Sequence, residues 1–386
     1  MTFRINLKRD FLPIMNLFLF SIMILLKAYG DAMLANDKPL GTTDDFKYVL
    51  LIISTFLSML QVVKRGKMHN IFVKDFKHFC TLISIWLLIS VALSFNAKMP
   101  RIDSIKYLLF IIMAFVYAYG MINILNEDML QTYFKMALVI CFACYFIFEK
   151  GVALFSESNL VLISFADSAS PFESAYAAGT SIAMCAFFSY YRKNNFLWLI
   201  VSMLFCFLTF KRASVIMMFI YFFIPLLTDK DKIIHKRTVW LLGGAFTIGT
   251  VFMSYLFRYR YIDIVNHYFK IDLNQLFMGR IRLYNTLLQT DYKMAGLGTS
   301  LDQMHYLANK TNGIELELVQ LLLEVTIIGL IAFIIYCLSL TKRNLYCVAI
   351  IIFTLFNMMT SSSLSSPFAW IFTYLTIWSI RKRHVS

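Results

Sequence analysis

The sequence predicts an all-α, polytopic membrane protein, and three observations predict it. The 386 residues have a mean hydropathy of +0.69. Only 15% of them are charged, where a soluble domain carries about 25%. The apolar residues, with 38 phenylalanines and 21 methionines among them, gather in blocks, many about 20 residues long, the length at which a helix crosses a bilayer. Blocks of that length, unlike alternating segments of about 10 residues, argue for helices and against a barrel.

The first apolar block, FLPIMNLFLFSIMILLKAYG, follows Arg4, Lys8 and Arg9 as a signal peptide would. It is longer than the apolar core of such a leader and further blocks follow, so it reads as a retained first helix. Twelve spans are expected in all, at about 11–29, 45–63, 79–96, 104–124, 135–150, 172–191, 196–210, 213–228, 238–257, 316–340, 345–360 and 368–380. They form a single integral membrane domain over 1–386. With a cytoplasmic N-terminus, the inner segments collect more than half of the 36 lysines and arginines, as the positive-inside rule requires. The C-terminus is then cytoplasmic too. The net charge of +14 follows from this distribution and does not imply nucleic acid. All seven cysteines fall inside apolar blocks, where they read as small buried hydrophobes and not as a disulfide framework.

One connection stands apart. Residues 258–315 form a polar, aromatic-rich loop on the outer side, and loops of that length are usually functional. It carries Arg258, Arg260, Lys270, Arg280, Arg282, Lys293 and Lys310. Arginine grips phosphate or carboxylate with a planar, permanently charged fork, so the cluster suggests an anionic partner at the membrane surface, such as a lipid-linked phosphate. Arg258 and Arg260 also suit a plainer role as interface markers with solvated heads. Gly279 and the spacing of Leu283, Leu287 and Leu288 favour a short helix over 279–290. On that helix Arg280 and Arg282 lie about 200° apart and do not share a ligand easily; Arg280 is the stronger candidate.

Candidates for proton transfer are His305 and His267, with Asp263, Asp272, Asp291, Asp302 and Glu315 among the acids. Glu315 sits where the loop re-enters the membrane, a place where partial desolvation raises a carboxyl pKa. In FLTFKRAS, 207–214, Lys211 and Arg212 lie between two apolar blocks; charges at such depth are costly and tend to be functional, although a tight turn capped by cations accounts for them as well. The Asp229-Lys230-Asp231 triplet lies in a cation-rich inner loop, a poor setting for a metal-bound nucleotide sugar. No phosphate-binding glycine loop and no zinc spacing is present, so neither cofactor nor metal is expected.

Several of these residues fall into patterns that resemble the bacterial O-antigen polymerase (Wzy-type) and O-antigen ligase superfamily. LTFKRA, 208–213, is similar to a Ser/Thr-x-x-Arg-Ala that aligns Thr209 and Arg212. GRIRLY, 279–284, is similar to Gly-Arg-x-x-x-Trp/Tyr and aligns Arg280 and Tyr284. AGLG, 295–298, matches the Gly-x-Gly that follows. NGIELELVQLLLEVTIIGLIAF, 312–333, resembles the return helix with its Leu-Leu-x-Glu-x-x-x-x-Gly. The resemblance covers mainly residues 207–335, and Arg282 has no counterpart in it.

The resemblance implies a GT-C-like membrane glycosyltransferase of the bacterial inner membrane. The donor is a glycan on undecaprenyl pyrophosphate at the periplasmic face, and the acceptor is a new lipid-linked repeat unit. It also implies a chain-length regulator as a possible partner beside the bilayer itself. Arg280 and Arg212 would stabilise the departing pyrophosphate, with Glu315 or His305 as base. Tyr284, Arg282, Lys211, Arg258 and Arg260 would contact substrate. Ligases usually carry a His-Asn or His-Ser where this chain has Glu315, which favours polymerase over ligase. A flippase or transporter, the remaining alternative, would place ionisable residues near the midplane and show inverted repeats.

Overall fold

The computed structural model describes residues 7–35, 42–65, 71–96, 101–148, 175–209, 211–270, 272–277, 279–290, 292–308, 314–361, 364 and 366–382. Arg4, Asp291, Lys310 and the start of the return-helix motif, Asn312-Gly313, lie outside these residues. The described chain is helical; its one β-feature is an isolated antiparallel bridge between Ile233 and Asn344.

Each of the twelve expected spans falls on a helix: Leu7–Ala35, Thr42–Arg65, Val73–Leu93, Ile102–Ile124, Glu127–Phe148, Ala175–Tyr190, Arg192–Leu208, Arg212–Leu227, Lys236–Leu256, Glu317–Leu340, Leu345–Thr360 and Pro367–Lys382. Six of these, in Phe11–Gly30, Asp45–Lys64, Val73–Leu93, Ser104–Ile124, Lys236–Leu256 and Glu317–Leu340, are long and apolar enough to cross a membrane. Arg212–Leu227 and Leu345–Thr360 are shorter apolar helices. The protein is therefore an α-helical, multi-pass membrane protein. The ends follow local rules. Asn344 accepts hydrogen bonds from the Tyr346 and Cys347 amides at a helix start, and Pro367 opens the last helix, where its missing N–H is no loss.

The chain divides into two compact units interleaved along the sequence. The first comprises Met1–Phe72, Ile112–Lys230 and Pro367–Ser386. In it Leu7–Ala35 packs on Thr42–Arg65 and Glu127–Phe148, while Ala175–Tyr190 packs on Arg192–Leu208, Arg212–Leu227 and Pro367–Lys382. Aromatic rings fill this interior. Phe134 and Phe187 stack at 3.9 Å, and Phe20 stacks on Tyr133 at 4.7 Å. Lys382 closes a helix end by donating to the Ile122 and Leu125 carbonyls, a cation at a helix C-terminus.

The second unit comprises Val73–Ile111 and Asp231–Ser366. Its centre is the return helix, Glu317–Leu340, which packs on Val73–Leu93, Lys236–Leu256 and Leu345–Thr360. That helix is broken: Val325 and Thr326 leave helical geometry, with Thr326 at φ 63° and ψ 177°. Among the described residues, the 258–315 segment contains four short helices, Tyr259–Phe269, Leu273–Leu276, Arg280–Gln289 and Thr299–Ala308. They pack around a small core of their own that includes Phe257, Ile262, Ile281, Tyr284, Leu287, Met304 and Leu316. The loop is thus a folded element, which fits its length.

Candidate functional site

Gly279 precedes the Arg280–Gln289 helix in a left-handed conformation, φ 78°, which favours glycine. The turn delivers Arg280 to the first helical position. Its Nε donates to Glu315 Oε2 at 3.1 Å. The pair is partly shielded, with 16% of the arginine side chain and 34% of the glutamate side chain exposed. The Nη1 and Nη2 groups of Arg280 make no hydrogen bond among the described residues. The guanidinium is therefore oriented through its Nε edge. Glu315, expected as a base, is first of all the partner that orients Arg280. It holds a left-handed backbone, φ 52°.

The rest of the helix is anchored from below. Tyr284 is fully buried and its hydroxyl donates to the Ser254 carbonyl at 2.7 Å. Asn285 donates to the Phe257 carbonyl at 2.6 Å and accepts from the Tyr259 amide at 3.1 Å. Burial pushes the Tyr284 pKa up while Arg258 pulls it back in part. A fully buried ring has no face to offer a sugar, so Tyr284 is a structural anchor in place of the expected substrate contact. Tyr284→Phe is expected to cost about 1 kcal/mol, the net worth of one hydrogen bond. The unfolding midpoint in detergent, followed with a thiol-reactive dye, measures it, because Cys337 and Cys347 are buried in this unit.

A second cluster gathers around the Gly-x-Gly. Gly296 and Gly298 have φ of 105° and 78°, and a Cβ on Gly296 would come within 2.6 Å of the Ser90 Cα. A Cβ on Gly298 would collide with the Ser104 Cα. The segment thus lies directly against the backbone of two helices, at the C-terminal end of Val73–Leu93 and the N-terminal end of Ile102–Ile124. Ser90 accepts from the Leu297 amide at 3.0 Å. Arg101 Nη2 donates to the Leu297 carbonyl at 3.2 Å and to Thr299 Oγ1 at 3.4 Å. Ser104 donates to the buried Asp302.

Glu324 of the return helix closes the cluster. Its carboxyl is fully buried. It accepts from the Gly298 amide at 2.7 Å, the Ser300 amide at 3.2 Å, the Ser300 hydroxyl at 2.5 Å and the Gln320 amide at 3.0 Å. The Gly-x-Gly and the Leu-Leu-x-Glu patterns are therefore two halves of one contact. Gly329, the glycine that ends the same pattern, offers its carbonyl to the Trp86 indole at 3.1 Å. Glu317 accepts from the Leu364 amide.

The remaining candidates lie elsewhere. Arg282 is exposed, on a different side of its helix from Arg280. Arg258 and Arg260 are exposed, and Arg258 lies over the Tyr255 ring at 5.1 Å. His305 is exposed and stacks on Tyr306 at 5.0 Å. Lys211 and Arg212 belong to the first unit, where Lys211 precedes and Arg212 begins the Arg212–Leu227 helix; Arg280 belongs to the second.

Sequence reasoning passed over Arg101 and the role of Glu324. Arg101 sits in a short connection with no motif around it. Glu324 did carry a signal: Glu317, Gln320 and Glu324 are three and four residues apart, a polar stripe on one face of an apolar helix, and polar groups in such a place ask for partners. Among the described residues no group of three or more His, Cys, Asp or Glu is placed to hold a metal ion. No protein-family model, curated protein or solved structure matches this chain.

Proposed function

We propose that this protein is a membrane glycosyltransferase of the O-antigen polymerase type. It transfers the growing glycan from undecaprenyl pyrophosphate to a new lipid-linked repeat unit at the periplasmic face of the bacterial inner membrane. The reading includes twelve crossings, a GT-C-like fold and a large periplasmic loop over 258–315. The observation that carries it is Arg280, a partly shielded guanidinium held by Glu315 through Nε, in a folded loop between two apolar helices.

An acceptor hydroxyl oxygen attacks the anomeric carbon as the bond from that carbon to the pyrophosphate oxygen breaks. The electron pair leaves with the lipid pyrophosphate, and the hydroxyl proton passes to a base, with His305 or Glu315 as candidates. Arg280 faces the developing negative charge. Fixed donors of this kind contribute a few kcal/mol each, with no metal required. Arg280→Ala is expected to lower polymerisation about 100-fold or more. Arg282→Ala, exposed on the other side of the helix, should stay within a few fold of wild type. Polymer formed per hour from purified lipid-linked units measures both, and equal losses at the two positions contradict the assignment.

The function itself is tested by deleting the gene in its own host and separating the surface lipopolysaccharide on a gel. Collapse of the ladder to core plus a single repeat unit supports polymerase. Bare core with accumulating lipid-linked chains points to the ligase. An unchanged ladder refutes both and favours a transporter.

A further inference from the structure

The helix Tyr259–Phe269 follows the membrane-length helix Lys236–Leu256 after only Phe257 and Arg258. Arg258 is extended, with φ -71° and ψ 138°, so the second helix does not continue the line of the first. Both belong to the second unit. Leu241, Ile248, Phe252 and Tyr255 are exposed on the longer helix, and at 3.6 residues per turn they fall within about 60° of one another. On a membrane-spanning helix such an apolar stripe faces lipid. The shorter helix has three faces. Ile262 is buried, Val265 packs on the loop core, and Asn266 accepts from the Leu273 amide at 3.0 Å. Arg260, Asp263 and His267 form an exposed polar face. Tyr261, Ile264 and Tyr268, 41%, 51% and 79% exposed, form an apolar stripe, again within about 60°. Tyr259 and Phe269 are exposed at the two helix ends.

We infer that Tyr259–Phe269 lies in the interfacial zone of the bilayer, with Tyr261, Ile264 and Tyr268 sunk about 5–10 Å into the boundary between headgroups and acyl chains. The stripe starts soon after Tyr255, the last residue of the lipid-facing stripe before it, so the helix begins at the level where its neighbour leaves the membrane. Tyrosine, with an apolar ring and a polar tip, suits headgroup depth. A stripe this narrow falls short of the about 20–30 residues a side that a stable protein interface needs, which disfavours a second chain as its cover. The exposed charges nearby, Arg258, Arg260 and Lys270 against Asp263 and Asp272, nearly balance, so apolar contact and not anionic lipid drives the seating. Ile262 shares its core with Ile281 and Tyr284, so the anchor also holds the Arg280–Gln289 helix near the bilayer surface. The inference rests on the membrane fold and not on the proposed transferase activity.

The test uses the full-length protein carrying Cys80→Ser, which removes the exposed thiol and leaves only buried ones. Nitroxide spin labels are attached in turn to Ile264→Cys, to Tyr268→Cys and, on the polar face, to Asp263→Cys. All three positions are exposed, so the labels displace no packed side chain. Each labelled protein is reconstituted into phosphatidylcholine vesicles. Electron paramagnetic resonance then reads collisions with oxygen, which concentrates in the bilayer, and with a water-soluble nickel chelate. The ratio of oxygen to nickel access is expected to be several-fold higher at 264 and 268 than at 263. Equal ratios at the three positions overturn the proposal, because the stripe then faces water. Restricted access of both reagents to 264 and 268 overturns it too, because a protein surface then covers the stripe.

Discussion

Gly298→Ala should cost about 2–5 kcal/mol and abolish the proposed transferase activity. Two contributions add. The left-handed backbone, φ 78°, costs a residue with a Cβ about 1–2 kcal/mol. The new Cβ would then meet the Ser104 Cα, a backbone atom that does not swing away, and overpacking of this kind costs about 1–3 kcal/mol. Gly279→Ala separates the two. Gly279 shares the φ of 78°, but a Cβ there meets nothing within 4 Å, so only the conformational part should appear. Unfolding midpoints of both variants, read through exposure of the buried cysteines, are the measurement. Equal shifts at Gly279 and Gly298 would show that the close approach to Ser104 is not what the glycine serves.

Glu324→Ala is the second large effect. It leaves the Gly298 amide, the Ser300 amide, the Ser300 hydroxyl and the Gln320 side chain without the carboxyl that accepts from all of them. Each orphaned buried donor costs about 1–3 kcal/mol. With partial relaxation the total should still reach at least about 3 kcal/mol. The 258–308 region should become easier to cleave by added protease before the rest of the chain unfolds. Combined with Gly298→Ala, the loss should be less than the sum, because both changes break one shared contact. Full additivity would mean that the two residues do not act through each other.

The helices were legible because bilayer-length apolar blocks leave one local answer. Each expected span lands on a helix, while the crossing count rests on block length and the orientation on charge bias. In the loop, the separation of Arg280 from Arg282 followed from helical geometry, and the structure places them as that geometry requires. The partner of Arg280 did not follow from sequence. Glu315 is 35 residues away, and nothing local says which of five loop acids meets it. Tyr284 was misread for a similar reason. An aromatic four residues after an arginine suits a stacking platform, and only the Ser254 carbonyl beneath it shows that the ring belongs to the core. Arg101 met its loop partners from 196 residues away, a pairing that hydropathy does not encode.

The break at Val325–Thr326 divides the return helix into two rods joined at a wrist. The first rod, ending at Glu324, is tied to the Gly-x-Gly; the second one carries Gly329, whose carbonyl is held by Trp86. The Thr326 hydroxyl accepts from the Ile328 amide at 3.3 Å and so patches one backbone group at the joint, as an apolar surrounding demands. A β-branched residue at positive φ costs of order 1–3 kcal/mol and persists only where its surroundings impose it. The joint therefore concentrates compliance at one point. A load on the 258–315 loop can tilt the short first rod with it, while the long second rod stays seated among its neighbours.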